Sequence, residues 1–444
     1  MHSIRGGRRL VRWAAVAVLA LVWAFPAQAQ EKSIDFEIKG QVFLETTDFG
    51  TGQDRQGSRT DIHFQRLRLV ATGKYNDVWG FKFQTCGNCG TSKQGALGYG
   101  LTAQDVDWND RDIRIIDGYA IADFSEQFRM KIGLTKLPLT RANLDDCFGP
   151  LSQDRSMFVY SAYGSSPAKF SRDFGAVAWG GFSDDKLRYY IGAFQGREGV
   201  VRTLHPLTGA TVTSSIEPSS QFEYVGRAHY AFLDAEPGAG YMGSYLGDLK
   251  VFTIGAGFAY EANAVYKNVT SAGAVLNDET VNYSAFAADM MFEYPFEKAG
   301  MVTATAQYLK TDFQDAYKTN FNAGDRLTNI TGLNGQKDGY YVKAAYMLPG
   351  KIGEQGRLQP YFLYEDWKFA HLLGINEQTI KQVGGGINYY IHRQNVRLTA
   401  EYLDTEFGTA TPFIGGRVDP VTGAPIDKVK DYGSFRVMLQ VGIF

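Results

Sequence analysis

The sequence predicts an all-β protein, a 16-stranded antiparallel transmembrane β-barrel with short periplasmic turns and long outer loops. Three observations predict it. The 444 residues include 30 Phe, 26 Tyr and 50 Gly, a composition that favours strands and tight turns over helices. Stretches that alternate apolar and polar residues recur along the whole chain. Beyond residue 30 no run of roughly 18 apolar residues occurs, which excludes helical spans but not a barrel, because a barrel distributes its apolar residues by alternation.

The first segment stands outside that pattern. Arg5, Arg8, Arg9 and Arg12 precede the apolar run from Trp13 to Phe25, and Ala27-Gln28-Ala29 supplies the small residues that a signal peptidase reads. Residues 1–29 are therefore expected to be a cleaved signal peptide. No linker, low-complexity tract or shift of composition divides residues 30–444, so a single barrel domain is expected there.

The alternation places strands near 34–46, 64–75, 79–86, 113–123, 127–138, 171–182, 186–196, 220–232, 249–262, 281–294, 300–312, 339–348, 357–368, 380–392, 395–408 and 433–444. The second shows the logic: Leu67, Leu69, Ala71, Gly73 and Tyr75 fall on one face, and Arg66, Arg68, Val70, Thr72 and Lys74 on the other. Asn76-Asp77-Val78 then reverses the chain into a strand where Phe81 and Phe83 oppose Lys82 and Gln84.

Long connections are expected at 47–63, 87–112, 139–170, 197–219, 263–280, 313–338, 369–379 and 409–432. They alternate with turns such as Ser183-Asp184-Asp185 and Arg393-Gln394-Asn395. This parity puts both termini on the periplasmic side. One connection breaks it: 233–248 is too long for a short turn and rich in Gly.

A soluble sandwich also alternates, so the contents of the faces decide. The outward faces are aromatic, with Phe222, Tyr224, Tyr230 and Phe232 in one strand and Phe252, Phe258 and Tyr260 in the next, as at a membrane girdle. The inward faces carry Arg66, Arg68, Lys74, Lys82, Arg129, Lys131, Arg227, Lys343, Arg357, Arg397 and Arg436 against Glu223, Asp289, Glu365 and Glu401. The wall is basic although the net charge is −2, and a positive lining concentrates anions in a narrow pore. That net charge gives no pull toward nucleic acid.

The three cysteines are Cys86 and Cys89, spaced C-x-x-C, and Cys147. Haem attachment would need His at position 90, where Gly stands, and zinc would need further ligands; no metal or cofactor is expected. In an oxidising compartment a disulfide among the three, with one thiol left over, is expected. An enzyme would need a nucleophile beside a base, and His229, which shares a face with Glu223 and Arg227, has no serine placed beside it by the pattern, so no catalytic residue is assigned.

Several segments, in order, resemble the phosphate-selective porin O and P family. They are Arg66-Leu67-Arg68-Leu69 with Gly73-Lys74, Phe81-Lys82-Phe83, Ile116-Asp117-Gly118-Tyr119, the run Met130 to Pro138, Asp154-Arg155-Ser156, Arg172-Asp173-Phe174-Gly175, and Gly385 to Ile391 continuing to Asn395-Val396-Arg397. The resemblance covers most of the mature chain. It implies a homotrimeric porin in the outer membrane of a Gram-negative bacterium, in contact with lipid, whose third outer loop folds into the channel.

That loop is 139–170. Its charges are balanced, with Arg141, Arg155 and Lys169 against Asp145, Asp146 and Asp154. Arg141 and Arg155 are expected to touch the pore, and Asp145 and Asp146 either to attract cations or to clamp the loop to the basic wall. The expected function is passive diffusion of small hydrophilic solutes, anionic or neutral, leaning toward anions such as phosphate or other oxyanions. The alternative is a barrel sheathing a periplasmic electron-transfer partner, with the C-x-x-C at its mouth.

Overall fold

Alternation along each segment, together with backbone pairing to both neighbours, builds the architecture. The computed structural model describes residues 32–48, 58–87, 113–160, 172–196, 200–204, 211–215, 221–267, 279–314, 335–354, 356–372, 375–412, 420–421 and 428–443. Its strands are β1 (Ser33–Asp48), β2 (Ser58–Lys74), β3 (Trp79–Gly87), β4 (Ile113–Ser125), β5 (Phe128–Lys136), β6 (Arg172–Phe182), β7 (Leu187–Phe194), β8 (Val200–Leu204) and β9 (Thr211–Ser215). They continue with β10 (Glu223–Ala231), β11 (Val251–Tyr266), β12 (Thr280–Phe296), β13 (Gly300–Asp312), β14 (Lys337–Met347), β15 (Arg357–Leu372), β16 (Ile375–His392), β17 (Val396–Pro412) and β18 (Lys428–Ile443).

Sixteen of these strands, all but β8 and β9, close into one barrel in chain order, and β18 returns to pair antiparallel with β1. Closure leaves no unpaired edge, which is what lets strands cross lipid. The strands β8 and β9 pair only with each other, a hairpin inside the loop expected at 197–219. The loop expected at 369–379 contracts to residues 373 and 374, because β15 and β16 stay in register out to Leu372 and Ile375.

The faces follow the sequence. Leu67, Leu69, Phe81, Phe83, Tyr224, Tyr230, Phe258 and Tyr260 stand exposed on the outside, whereas Arg66, Arg68, Arg227, Lys343, Arg397 and Arg436 point in and are buried. A register shift beside Gln41 and Val42 turns both Gln65 and Arg66 of β2 inward. Lys74 lies exposed at the end of its strand.

The barrel is not an open tube. An apolar cluster fills part of its interior, uniting Leu137, Leu139, Phe158 and Val159 of the β5–β6 loop with Trp367, Phe369, Phe407 and Tyr432 of the wall. Phe158 packs on Trp367 and Phe369 with centroid separations of 5.6 and 5.7 Å. Burying each such Leu or Phe contributes roughly 1.5–3 kcal/mol, which draws the loop into the lumen.

Candidate functional site

After β5 the residues Leu137-Pro138 turn the chain into the barrel, and the loop runs inward through α1 (Arg141–Leu144) and α2 (Met157–Tyr160). Thr140 starts α1 by accepting a hydrogen bond from the Asn143 amide at 3.0 Å. A loop inside a barrel must satisfy its backbone without water. The wall supplies the donors: Gln440 to the Phe148 carbonyl (2.8 Å), Arg397 to Pro150 (2.8 Å), Asn388 to Leu151 (2.8 Å) and Lys343 to Asp154 (3.0 Å). Arg66 reaches the Asp154 carboxylate at 2.5 Å, and Gln307 accepts from the Ala142 amide at 3.1 Å. Gly257 of β11 lets the loop lie directly on the wall, since a Cβ there would fall 2.0 Å from the Leu139 carbonyl oxygen.

A second segment enters from the opposite end. The connection flagged by length, 233–248, continues the β10–β11 pairing as far as Asp234 and Lys250 and then folds inward, burying Glu236, Tyr241 and Ser244. Arg188 donates to the Glu236 carbonyl at 2.6 Å, Arg357 donates to the Leu246 carbonyl at 2.9 Å, and Glu293 accepts from the Gly247 amide at 3.0 Å.

The two inserts join in mid-barrel. The Asp146 amide donates to the Tyr241 carbonyl (3.0 Å) and the Gly243 amide to the Gly149 carbonyl (2.9 Å). Arg141 forms a double hydrogen bond to Glu236, and its guanidinium lies 4.4 Å from the Tyr241 ring centroid. Gly243 is required by contact, since a Cβ there would sit 2.4 Å from the Leu151 nitrogen, whereas one on Gly149 would meet only the movable Met242 methyl at 2.3 Å.

Beside the inserts, against β1 to β7, lies a cavity of about 490 Å³. Six cations line it, Lys39, Arg68, Lys82, Lys131, Lys136 and Arg172, against Glu37, Asp117, Asp123 and Asp146. Arg172 pairs with Asp117 at 2.7 Å, and Lys39 pairs with Glu37 at 2.9 Å and Asp146 at 3.3 Å. Lys136 donates to the Asp145 carbonyl at 2.8 Å. Burial would raise the Asp146 carboxyl, but Lys39, Lys136 and the Phe148 amide outweigh it and hold the group below the ordinary carboxylate range. Asp145 goes the other way, raised by burial that Arg141 and Arg155 only partly offset.

These positions divide the residues that the sequence singled out. Arg68, Lys82, Lys131 and Asp146 line the cavity. Arg66, Lys343 and Arg397 instead hold the loop, and Arg227 is bound to Asp289 at 2.6 and 2.7 Å. Arg129 lies over the Trp179 ring at 4.6 Å.

The expectation that Arg141 and Arg155 touch the pore is corrected. Both are buried inside the insert, Arg141 on Glu236 and Arg155 on the carbonyls of Ala142 and Asp145, because a buried guanidinium must find acceptors locally. Asp146 clamps the loop to β1 through Lys39. The sequence reading missed Lys39, Lys136 and Arg172. Lys39 was visible in the alternation of Ile34, Phe36 and Ile38 with Asp35, Glu37 and Lys39, whereas Lys136 and Arg172 needed the loop path.

Cys86 is disulfide-bonded, and Cys147, also expected as a disulfide candidate, is a free buried thiol; Cys89 falls outside the described residues. His229 bonds the Tyr241 hydroxyl through Nδ1, so it anchors the second insert.

Comparison with known proteins agrees with this architecture. A family model for phosphate-selective porin O and P matches residues 36–411. An uncharacterized protein of Aquifex aeolicus (strain VF5) is 22% identical over 346 residues, which cover 76% of this chain and 70% of that protein. Among solved structures, an anion-selective porin from Comamonas acidovorans superposes with a TM-score of 0.52 at 11% identity, covering 93% of this chain and 100% of that one. OprB of Pseudomonas putida gives 0.52 at 10% identity, with 97% of each chain covered. The closed sixteen-stranded barrel is the fold, and the family model matched over residues 36–411 gives the membership: this chain belongs to the phosphate-selective porin O and P family of outer-membrane channels.

Proposed function

We propose that the protein is an anion-leaning porin whose conducting path runs along β1 to β7, past Arg68, Lys82 and Lys131. The observation that carries this reading is the charge left over in the cavity. Six cations face four carboxylates among the lining residues, a surplus of two positive charges, and with Arg172 paired to Asp117 and Lys39 to Asp146 and Glu37 that surplus falls on Arg68, Lys82, Lys131 and Lys136. In a narrow passage with low-dielectric walls that excess raises the local anion concentration. Small hydrophilic solutes, anionic or neutral, pass by diffusion without chemistry, and inorganic phosphate is one of them.

In this reading residues 1–29 are a signal peptide removed on export, and residues 30–444 form the mature barrel in a Gram-negative outer membrane. The end bearing the short turns and the termini faces the periplasm, lipid covers the outward aromatic faces, and three copies assemble. The test is the reversal potential of the purified protein in a planar bilayer under a KCl gradient. A potential of the sign set by chloride supports the reading, a potential set by potassium overturns the anion preference, and absence of conductance overturns the channel.

A further inference from the structure

The cavity is richer in carbon than passage of a hydrated inorganic anion requires. On β4, Tyr119 and Ile121 face inward; Lys82 is the cross-strand partner of Tyr119, and Lys131 is that of Ile121. The Lys131 ammonium stands 5.4 Å from the Tyr119 ring centroid and 5.7 Å from that of Trp179. Among the described residues neither Lys82 nor Lys131 has a carboxylate within 4.0 Å. The position across from Tyr119 on β5 is Gly133, at φ +134°, where a Cβ would come within 3.2 Å of the Tyr119 Cβ, so that position brings no side chain of its own against the ring.

Lys82 and Lys131, with Asp117 and Asp123 of the same β4 row beyond 4.0 Å, stand beside inward-facing aromatic and aliphatic groups, so this part of a cavity of about 490 Å³ joins two convergent cations to an apolar flank, as small-molecule sites do. We infer that the passage holds a subsite for organic carboxylates bearing a flat apolar group, with the carboxylate between Lys82 and Lys131 and the carbon framework against Tyr119, Ile121 and Trp179. The subsite rests on the channel reading above. It adds selection by the carbon skeleton to selection by charge: the lysines attract any carboxylate, and the rings retain those that also stack.

The test is current block in planar bilayers carrying KCl, titrated separately with benzoate, acetate and inorganic phosphate. Benzoate is expected to reduce the current at about tenfold lower concentration than acetate. Tyr119→Ser removes that difference and leaves the acetate response unchanged, Tyr119→Phe retains it, and Lys131→Met weakens block by both carboxylates. Equal block by benzoate and acetate in the parent protein overturns the subsite while leaving the channel standing. Stronger block by phosphate than by benzoate also overturns it and assigns the lysines to inorganic oxyanions. A protein that conducts no KCl removes the channel reading and the subsite with it.

Discussion

Arg141 and Glu236, 95 residues apart in the chain, meet inside the barrel through two hydrogen bonds, of 2.9 and 2.5 Å, with neither side chain reached by solvent. Each belongs to a different insert, one entering from the loop end and one from the turn end. Their pair ties the two inserts together electrostatically. The Tyr245 hydroxyl adds a third hydrogen bond, donating to Glu236 at 2.8 Å.

Removing one partner leaves a buried charge without compensation, which typically costs about 3–5 kcal/mol. Glu236→Gln is therefore expected to lower stability by about 3 kcal/mol in urea unfolding in detergent. It should also make single-channel current noisier, because the two inserts are no longer tied. A quiet, unshifted channel would show that the backbone bonds from Asp146 and Gly243 hold the junction alone.

The same pair sets an acid limit. Burial would raise the Glu236 carboxyl, but Arg141 and the Tyr245 hydroxyl bring it down to about 2. A carboxyl depressed in the folded state contributes stability that is fully present above its unfolded value of about 4.3 and is lost as pH falls through the folded one. The stability of the parent protein relative to Glu236→Gln should thus stay constant from pH 8 to about 5 and shrink between about 5 and 2. Parallel unfolding series of the two proteins measure it.

Cations on the cavity and cations on the loop should behave differently when neutralised. Lys82→Met with Lys131→Met is expected to shift the reversal potential toward zero with little effect on stability. Arg397→Met removes the donor to the Pro150 carbonyl and should cost about 1–3 kcal/mol, leaving ion preference nearly unchanged. Reversal potentials and unfolding midpoints of the two variants separate the roles.

Gly257→Val probes the seat of the loop. A Cβ at Gly257 would fall 2.0 Å from the Leu139 oxygen, so backbone must move against backbone. The expected outcome is a loss of about 1–3 kcal/mol together with altered conductance, as the insert shifts off β11. Unchanged values for both would mean that the loop does not rest there in the membrane.

The barrel was legible because alternation is local. Leu67, Leu69, Phe81 and Phe83 announce their outward direction within a few residues, and so do the buried Arg66 and Arg68 opposite them. The connection at 233–248 was legible as an irregularity of length and Gly content, and 139–170 as the long loop after the fifth strand that the family resemblance sends into the channel. Their contacts were not, because nothing local in the run from Arg141 to Ser156 specifies that Phe148, Pro150 and Leu151 present carbonyls to Gln440, Arg397 and Asn388.

The sequence by itself thus determined a closed, aromatic-banded barrel with a basic inner wall, since strand direction and facing depend on neighbours two positions away. Tertiary structure decided which of those basic residues face the passage. Arg66, Arg227, Lys343 and Arg397 are occupied by carbonyls and carboxylates from distant segments, while Arg68, Lys82 and Lys131 line the cavity. The physical reason is that burial drives guanidinium, ammonium and backbone carbonyl groups to find partners, and partners 62 to 247 residues away are chosen by strand pairing and by the path of two inserts, not by spacing along the chain.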